Sequence, residues 1–155
     1  MTSKLTTRLK IITICAIFSL MIGHNRSEEF YAQSEKVYNG SYQVIMISVH
    51  DGDTFAADIP DFPPVIGDKI GIRLDGIDTP ELNDKRPEIK ILAQKARLVL
   101  LTSLKNAKRI IITNIKRDKY FRLDATVIAD GVNLNELMIK LELAKPYNGG
   151  KKSPW

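Results

Sequence analysis

From Tyr42 onward the hydrophobic positions switch between the two-residue period of strands and the longer period of helices. Ser41 to Val49 is rich in β-formers (Tyr42, Val44, Ile45, Met46, Ile47) and predicts a strand. Asp51-Gly52 is a turn signal, and Thr54-Phe55-Ala56-Ala57 opens a second strand. Pro60, Pro63 and Pro64 each lack the N–H that a central strand must donate, so Ile59 to Gly67 reads as a loop. Lys69 to Leu74 predicts a third strand. The period then lengthens: Ile89, Ala93, Ala96, Leu100 and Leu104 fall on one helical face behind Pro87-Glu88, which suits a first turn, and the helix is expected from about Glu88 to Lys105. Arg109 to Ile115 reads as a fourth strand. In a fifth, Leu123, Ala125, Val127 and Ala129 alternate with Asp124, Thr126 and Ile128. After the Asp130-Gly131 turn, Leu134, Leu137, Met138 and Leu141 line a short helix. Five strands, with one helix after the third and another after the fifth, follow the order of an OB-fold barrel, a mainly β arrangement of the α+β class.

The region before Tyr42 follows a different pattern. Lys4, Arg8 and Lys10 precede thirteen apolar or small residues, Ile11 to Gly23. That run is short of the ~20 residues needed to span a bilayer and suits the h-region of an export signal. Residues 1–23 are therefore expected to direct export, to a secreted or periplasmic destination. No Ala-x-Ala cleavage pattern follows, so the alternative is a membrane anchor formed by residues 11–23. Residues 24–39 are polar and mixed and read as a linker, leaving 40–155 as one domain.

The net charge of +5 first suggests a polyanion binder, but four of those charges (Lys4, Arg8, Lys10, Arg26) lie near the start. The distribution of the rest says more. Asp51 to Glu88 holds ten acids against four bases, whereas Lys105 to Arg122 holds seven bases and the single acid Asp118. An acidic half favours a cation and a basic segment favours a polyanion. The one cysteine, Cys15, lies in the leader, which excludes disulfides and thiolate metal sites from the rest of the chain. His24 and His50 are the only histidines, so chemistry that depends on paired histidines or a zinc cage is poorly served.

What remains is carboxylate, guanidinium and hard-cation chemistry. Asp51-Gly52-Asp53-Thr54 taken alone is an ordinary turn. Asp78-Thr79-Pro80-Glu81 sets two carboxylates three residues apart, where a strand has just ended and proline fixes the backbone. There a carboxylate and a main-chain carbonyl can share one cation while Glu81 stays free. Arg73 lies between Ile72 and Leu74 in the third strand, as either a solvent-face residue or an inward charge with a partner; Arg122, behind Tyr120-Phe121, carries the same ambiguity. Acids for a metal, a further acid for a proton and two arginines for a phosphate are the parts of a metal-assisted phosphodiesterase.

Four motifs together resemble the staphylococcal nuclease (thermonuclease) family: Asp-Gly-Asp-Thr at 51–54, Arg-Leu-x-Gly-Ile-Asp-Thr-Pro-Glu at 73–81, Asp-Lys-Tyr-x-Arg at 118–122 and Asp-Gly-x-x-Leu-Asn at 130–135. The resemblance implies one Ca²⁺ on Asp53, Asp78 and the carbonyl of Thr79, with Asp51 near the metal. It implies Glu81 acting on the attacking water, Arg73 and Arg122 on the scissile phosphate, and Lys119 and Tyr120 on a neighbouring phosphate. The implied activity is hydrolysis of DNA and RNA to 3′-phosphate products by a monomer without an obligate protein partner, with single strands preferred; the alternative is a non-catalytic OB-fold module that binds nucleic acid or protein. Three departures stand out. The proline-bearing stretch lengthens the gap between Thr54 and Arg73. Glu142 stands where the family usually ends its second helix with glycine, at an expected cost of ~1 kcal/mol. Trp155 leaves no room for the family's long third helix, which is expected to be absent or much reduced. Tyr147, Lys151 and Lys152 are left either to meet a substrate strand or to fray.

Overall fold

In the computed structural model, residues 37–118 and 120–155 are described, and Val37–Trp155 forms one compact unit. The export-signal or anchor reading (1–23), most of the linker and Lys119 lie outside the described residues. Among the described residues no helix is long and apolar enough to cross a membrane.

The period-two segments form β1 (Tyr42–Val49), β2 (Thr54–Asp58), β3 (Ile70–Leu74), β5 (Ile110–Arg117) and β6 (Leu123–Ala129). Antiparallel pairing runs β3-β2-β1-β5-β6, and a parallel pairing of β3 with β6 closes the ring into a five-stranded, OB-like barrel, as the pattern predicts. Two bulges keep the hydrophobic residues inside. In β1 the register shifts between Met46 and Ser48, so burial passes from Val44 to Val49 rather than to Ser48. In β5 the shift falls at Asn114, whose φ of 52° is one that asparagine tolerates better than most residues, and inward positions jump from Ile112 to Ile115.

Two helices flank the barrel. The longer, α2 (Pro87–Asn106), follows the predicted spacing and buries Ala93, Ala96, Leu100 and Leu104 against the core. The shorter, α3 (Leu134–Lys140), is capped by the Asn133 side chain, which accepts from the N–H groups of Asn135 and Glu136. Buried Asn135 explains the last motif. Its Oδ1 accepts from Val127 N–H, and its Nδ2 donates to the carbonyls of Asp75 and Ala125, tying α3 to β6. The helix ends at Glu142 with φ 58°, the left-handed position expected of a glycine, and Leu143 N–H returns to Met138 O at 3.0 Å.

The proline stretch needs correction. Ile59 to Gly67 is not wholly loop, because Pro64–Gly67 forms one helical turn, α1. Ile59 N–H bonds to Gly67 O, and Phe62 packs edge-on against Tyr42 with ring centroids 4.8 Å apart. A proline at the first helical position loses no hydrogen bond, so the residues that forbid a strand permit this turn. Two short strands went unpredicted beside the barrel, β4 (Ile77–Asp78) and β8 (Lys145–Pro146), which pair with each other. A third, β7 (Val132–Asn133), extends the β6 edge.

Candidate active site

Barrel closure gathers three of the four sequence motifs, 51–54, 73–81 and 118–122, at one end. Asp53 sits at the entry to β2, where its N–H is held by Asp51 Oδ1 at 3.0 Å and its carbonyl accepts from Leu74 N–H at 2.8 Å. Gly52 is required by space: a Cβ there would lie 2.7 Å from the Ala96 Cβ and 2.9 Å from Thr79 Oγ1. The Asp-Gly-Asp spacing is thus the means by which the turn slips beneath α2 and brings Asp53 towards the 78–81 segment.

Arg73 stands opposite Thr54 on β3, on the face turned away from the barrel core and into the cleft, with its side chain 16% exposed. It pairs with Asp53, donates to Ile77 O at 2.9 Å and lies 3.8 Å from Asp78 Oδ1. Neither alternative holds as stated: Arg73 is on the non-core face yet is a partnered charge, and the guanidinium touches both expected metal carboxylates. Burial raises the Asp53 carboxyl, an effect that Arg73 opposes and Asp51 reinforces. Asp78, Thr79 and Pro80 are buried, while Glu81 opens to solvent.

Arg122 comes from the loop before β6. Its Nε donates to Asp118 Oδ2 at 2.8 Å, and the other oxygen of Asp118 accepts the N–H groups of Tyr120 (2.7 Å) and Arg122 (2.9 Å). Burial works against the Asp118 carboxylate, but the hydrogen bonds from Arg122 and Tyr120 prevail and hold it below its ordinary range. Gly71 on β3 makes room for the Arg122 stem, since a Cβ there would lie 2.9 Å from Arg122 Cγ. The exposed Tyr120 ring lies 5.3 Å from the Arg122 guanidinium carbon.

These groups surround an open cleft of about 460 Å³, lined by Asp53, Arg73, Thr79, Glu81, Tyr120 and Arg122 among others. All three expected catalytic side chains and the expected substrate residue Tyr120 face it. Asp53 and Thr79 line it as well, and Asp78 lies beneath, reached through Arg73.

The sequence did not show what three residues of the cleft do there. Asp118 was seen only as part of a motif; its hydrogen bonds show that it positions Arg122. Asp124 pairs with Arg73 in the β3–β6 register and keeps a buried oxygen without a hydrogen bond; burial first, and then Asp118, raises its carboxyl. Its place in a strand of strict alternation was the available signal, because an outward position on β6 faces the cleft. Lys152, expected either to meet a substrate strand or to fray, instead has its Nζ 2.8 Å from both Asp78 Oδ1 and Glu81 Oε1. Burial alone would lower this ammonium, but the two carboxylates outweigh it and hold the group above its usual range.

The model of the staphylococcal nuclease homologue family matches residues 71–153. The chain belongs to that family. A comparison with curated proteins returned no match. The matched span of the staphylococcal nuclease homologue model holds Arg73, Asp78, Glu81 and Arg122 but stops short of Asp53, which reaches the same cleft through β2–β3 pairing. Membership supports a nuclease-like or nucleic-acid-binding function.

The cleft also bears on the calcium expectation. Among the described residues no three His, Cys, Asp or Glu side chains converge as a metal cage. A cation here would depend on Asp53, Asp78, the Thr79 carbonyl and water. That set fits a hard cation, because every donor is oxygen and because the buried Asp78 Oδ1 takes no aligned hydrogen bond even with Lys152 beside it.

Proposed function

We propose that this protein is a calcium-dependent phosphodiesterase that hydrolyses DNA and RNA and leaves 3′-phosphate ends. The observation that carries this reading is the convergence of Arg73, Arg122 and Glu81 on one cleft above Asp53 and Asp78. A bound Ca²⁺ would supply Lewis-acid polarisation of a phosphate oxygen. Arg73 and Arg122 would grip the scissile phosphate from two sides, and their planar forks match the charge that grows on its oxygens as water attacks. Arg73 is preorganised for this task by Asp53 and Ile77 O, and Arg122 by Asp118. Glu81, exposed at the cleft edge, would orient the attacking water or take its proton, typically worth ~10²–10⁴-fold. Tyr120 offers a face for a neighbouring nucleotide, which favours single strands whose bases are free to stack.

The test is cleavage of single-stranded DNA and of RNA by the full chain. Calcium should support cleavage better than Mg²⁺, whose octahedral demand a two-carboxylate site meets less well. Excess chelator should abolish it. Cleavage that persists in chelator overturns the metal reading. Tight binding of either nucleic acid without cleavage, with or without calcium, would favour the alternative of a binding module.

A further inference from the structure

The residues after β8 fold back onto the site. Tyr147 N–H donates to Gly76 O at 2.9 Å, and Gly149 and Gly150, with φ of 87° and 85°, reverse the chain. Tyr147 Oη closes this turn on Gly150 O at 3.0 Å. The returning residues reach three parts of the molecule. Lys152 Nζ bridges Asp78 Oδ1 and Glu81 Oε1, and Trp155 Nε1 donates to Asp78 Oδ2 at 3.4 Å. Lys145 Nζ donates to Pro154 O at 2.6 Å and lies 4.5 Å from the centre of the Trp155 ring. Arg86 donates to the Trp155 backbone oxygen at 2.7 Å, anchoring the far end.

We infer that Lys152 is a built-in competitor for the metal, its ammonium holding the metal carboxylate Asp78, and Glu81 beside it, until a divalent cation displaces it together with residues 151–155. This inference rests on the calcium reading above and adds to it a residue that sets metal affinity. The returning segment reaches both oxygens of Asp78, Oδ1 through the Lys152 charge and Oδ2 through Trp155, so a cation on that carboxylate would lie against the Lys152 ammonium and repel it. The two competitors differ in ways that permit exchange. Lys152 carries one charge on a side chain 48% exposed, so release returns it to water at little cost. Asp78 has a side chain only 5% exposed and gains most from the larger charge of a hard cation. Gly149 and Gly150 supply a hinge that bears no side chain. One ammonium also holds both a metal ligand and the candidate base, so metal entry would free Glu81 for water in the same event.

The chain offers a direct reporter, because Trp155 is its only tryptophan. Calcium is titrated into the full chain while Trp155 emission and calorimetric heat are followed, and the calorimetry is repeated on Lys152→Gln and Lys151→Gln. Trp155 emission should move to longer wavelength with the same midpoint as the heat. K152Q should bind calcium about three- to tenfold more tightly, the size expected when a half-exposed ion pair no longer competes. K151Q, which removes the same charge one residue away, should bind like wild type. Unmoved Trp155 emission at saturating calcium overturns the inference without recourse to any variant. Equal or weaker binding by K152Q also overturns it, as does equal tightening by K151Q, which would mark a general charge effect. If neither wild type nor K152Q binds calcium, the inference and the calcium reading fall together; calcium binding with equal affinity in both sinks the inference alone.

Discussion

Arg73 reaches the cleft from a barrel strand, its side chain 16% exposed between Asp53 and Asp78, whereas Arg122 reaches it from a loop, 32% exposed and paired with an acid four residues away. Arg73 is fixed by tertiary structure, since its partners arrive from the β2 entry and from β4. Arg122 is fixed locally, by one carboxylate that also binds two N–H groups of the same loop. In the proposed reaction the two guanidiniums do the same work. Their contributions to the fold should nevertheless differ, because a charge removed from a buried pair strands its partner and one removed from a surface pair does not.

The largest expected effects test that contrast. Arg73→Ala and Arg122→Ala should each lower kcat by about 10²–10³-fold, the usual loss for one preorganised charge donor. Denaturant melts should then separate them. Arg73→Ala leaves Asp53 buried without its ion pair and should cost about 3–5 kcal/mol; Arg122→Ala should cost under ~1 kcal/mol. If both variants lose the same stability, Arg73 is not the buried strut described here. If both fold and cleave like wild type, the two arginines are not on the scissile phosphate.

Legibility in the sequence follows the same division. Local features were readable: the turn at Asp51-Gly52, the face of α2 and the alternation of β6 all depend on neighbours within a few residues. The barrel order was readable too, because each strand carried its own period. The partners of Arg73 were not, since the acids that hold it reach it only when β3 pairs with β2 and β6 and the 77–78 segment folds over it. The bulges at Met46–Ser48 and Asn114 were hidden for the same reason, as parity is corrected by the partner strand. Strands β4 and β8 have two residues each and so carry no period at all, yet their pairing is what leads Lys152 to Asp78.

A middle-sized effect tests whether Asp118 positions Arg122. Asp118→Asn keeps the shape but loses charge, and should lower kcat by about ten- to hundredfold through misplacement of the guanidinium. Its pH signature separates positioning from simple loss of activity. The folded carboxyl titrates below its ordinary value of 3.8. Above that ordinary value both folded and unfolded states are ionised, and the stabilisation is complete. As pH falls, the unfolded chain takes the proton first, so the contribution shrinks and is gone once pH passes below the folded value. Wild-type stability should therefore fall more steeply than that of Asp118→Asn below about pH 4. Parallel stability profiles for the two proteins would remove Asp118 from this role.

The smallest effect lies far from the cleft and supplies the reference for the others. Glu142 ends α3 in the left-handed region, at φ 58°, and its side chain is exposed. A non-glycine residue there is strained by ~1–2 kcal/mol. Glu142→Gly relieves that strain but gives the unfolded chain more freedom, which returns ~0.5–1 kcal/mol. The net gain should be about 0.5–1 kcal/mol, read as a higher denaturation midpoint with an unchanged slope. Cleavage rate and calcium affinity should stay at wild-type values, because no group in the cleft depends on this turn. A variant that changes stability alone is the standard against which Arg73→Ala must be judged, since Arg73 is expected to move both quantities. If Glu142→Gly proves less stable than wild type, the left-handed strain at the end of α3 is being offset by something other than backbone geometry, and the turn from Leu141 to Ala144 is held by more than its two bonds to Met138 O.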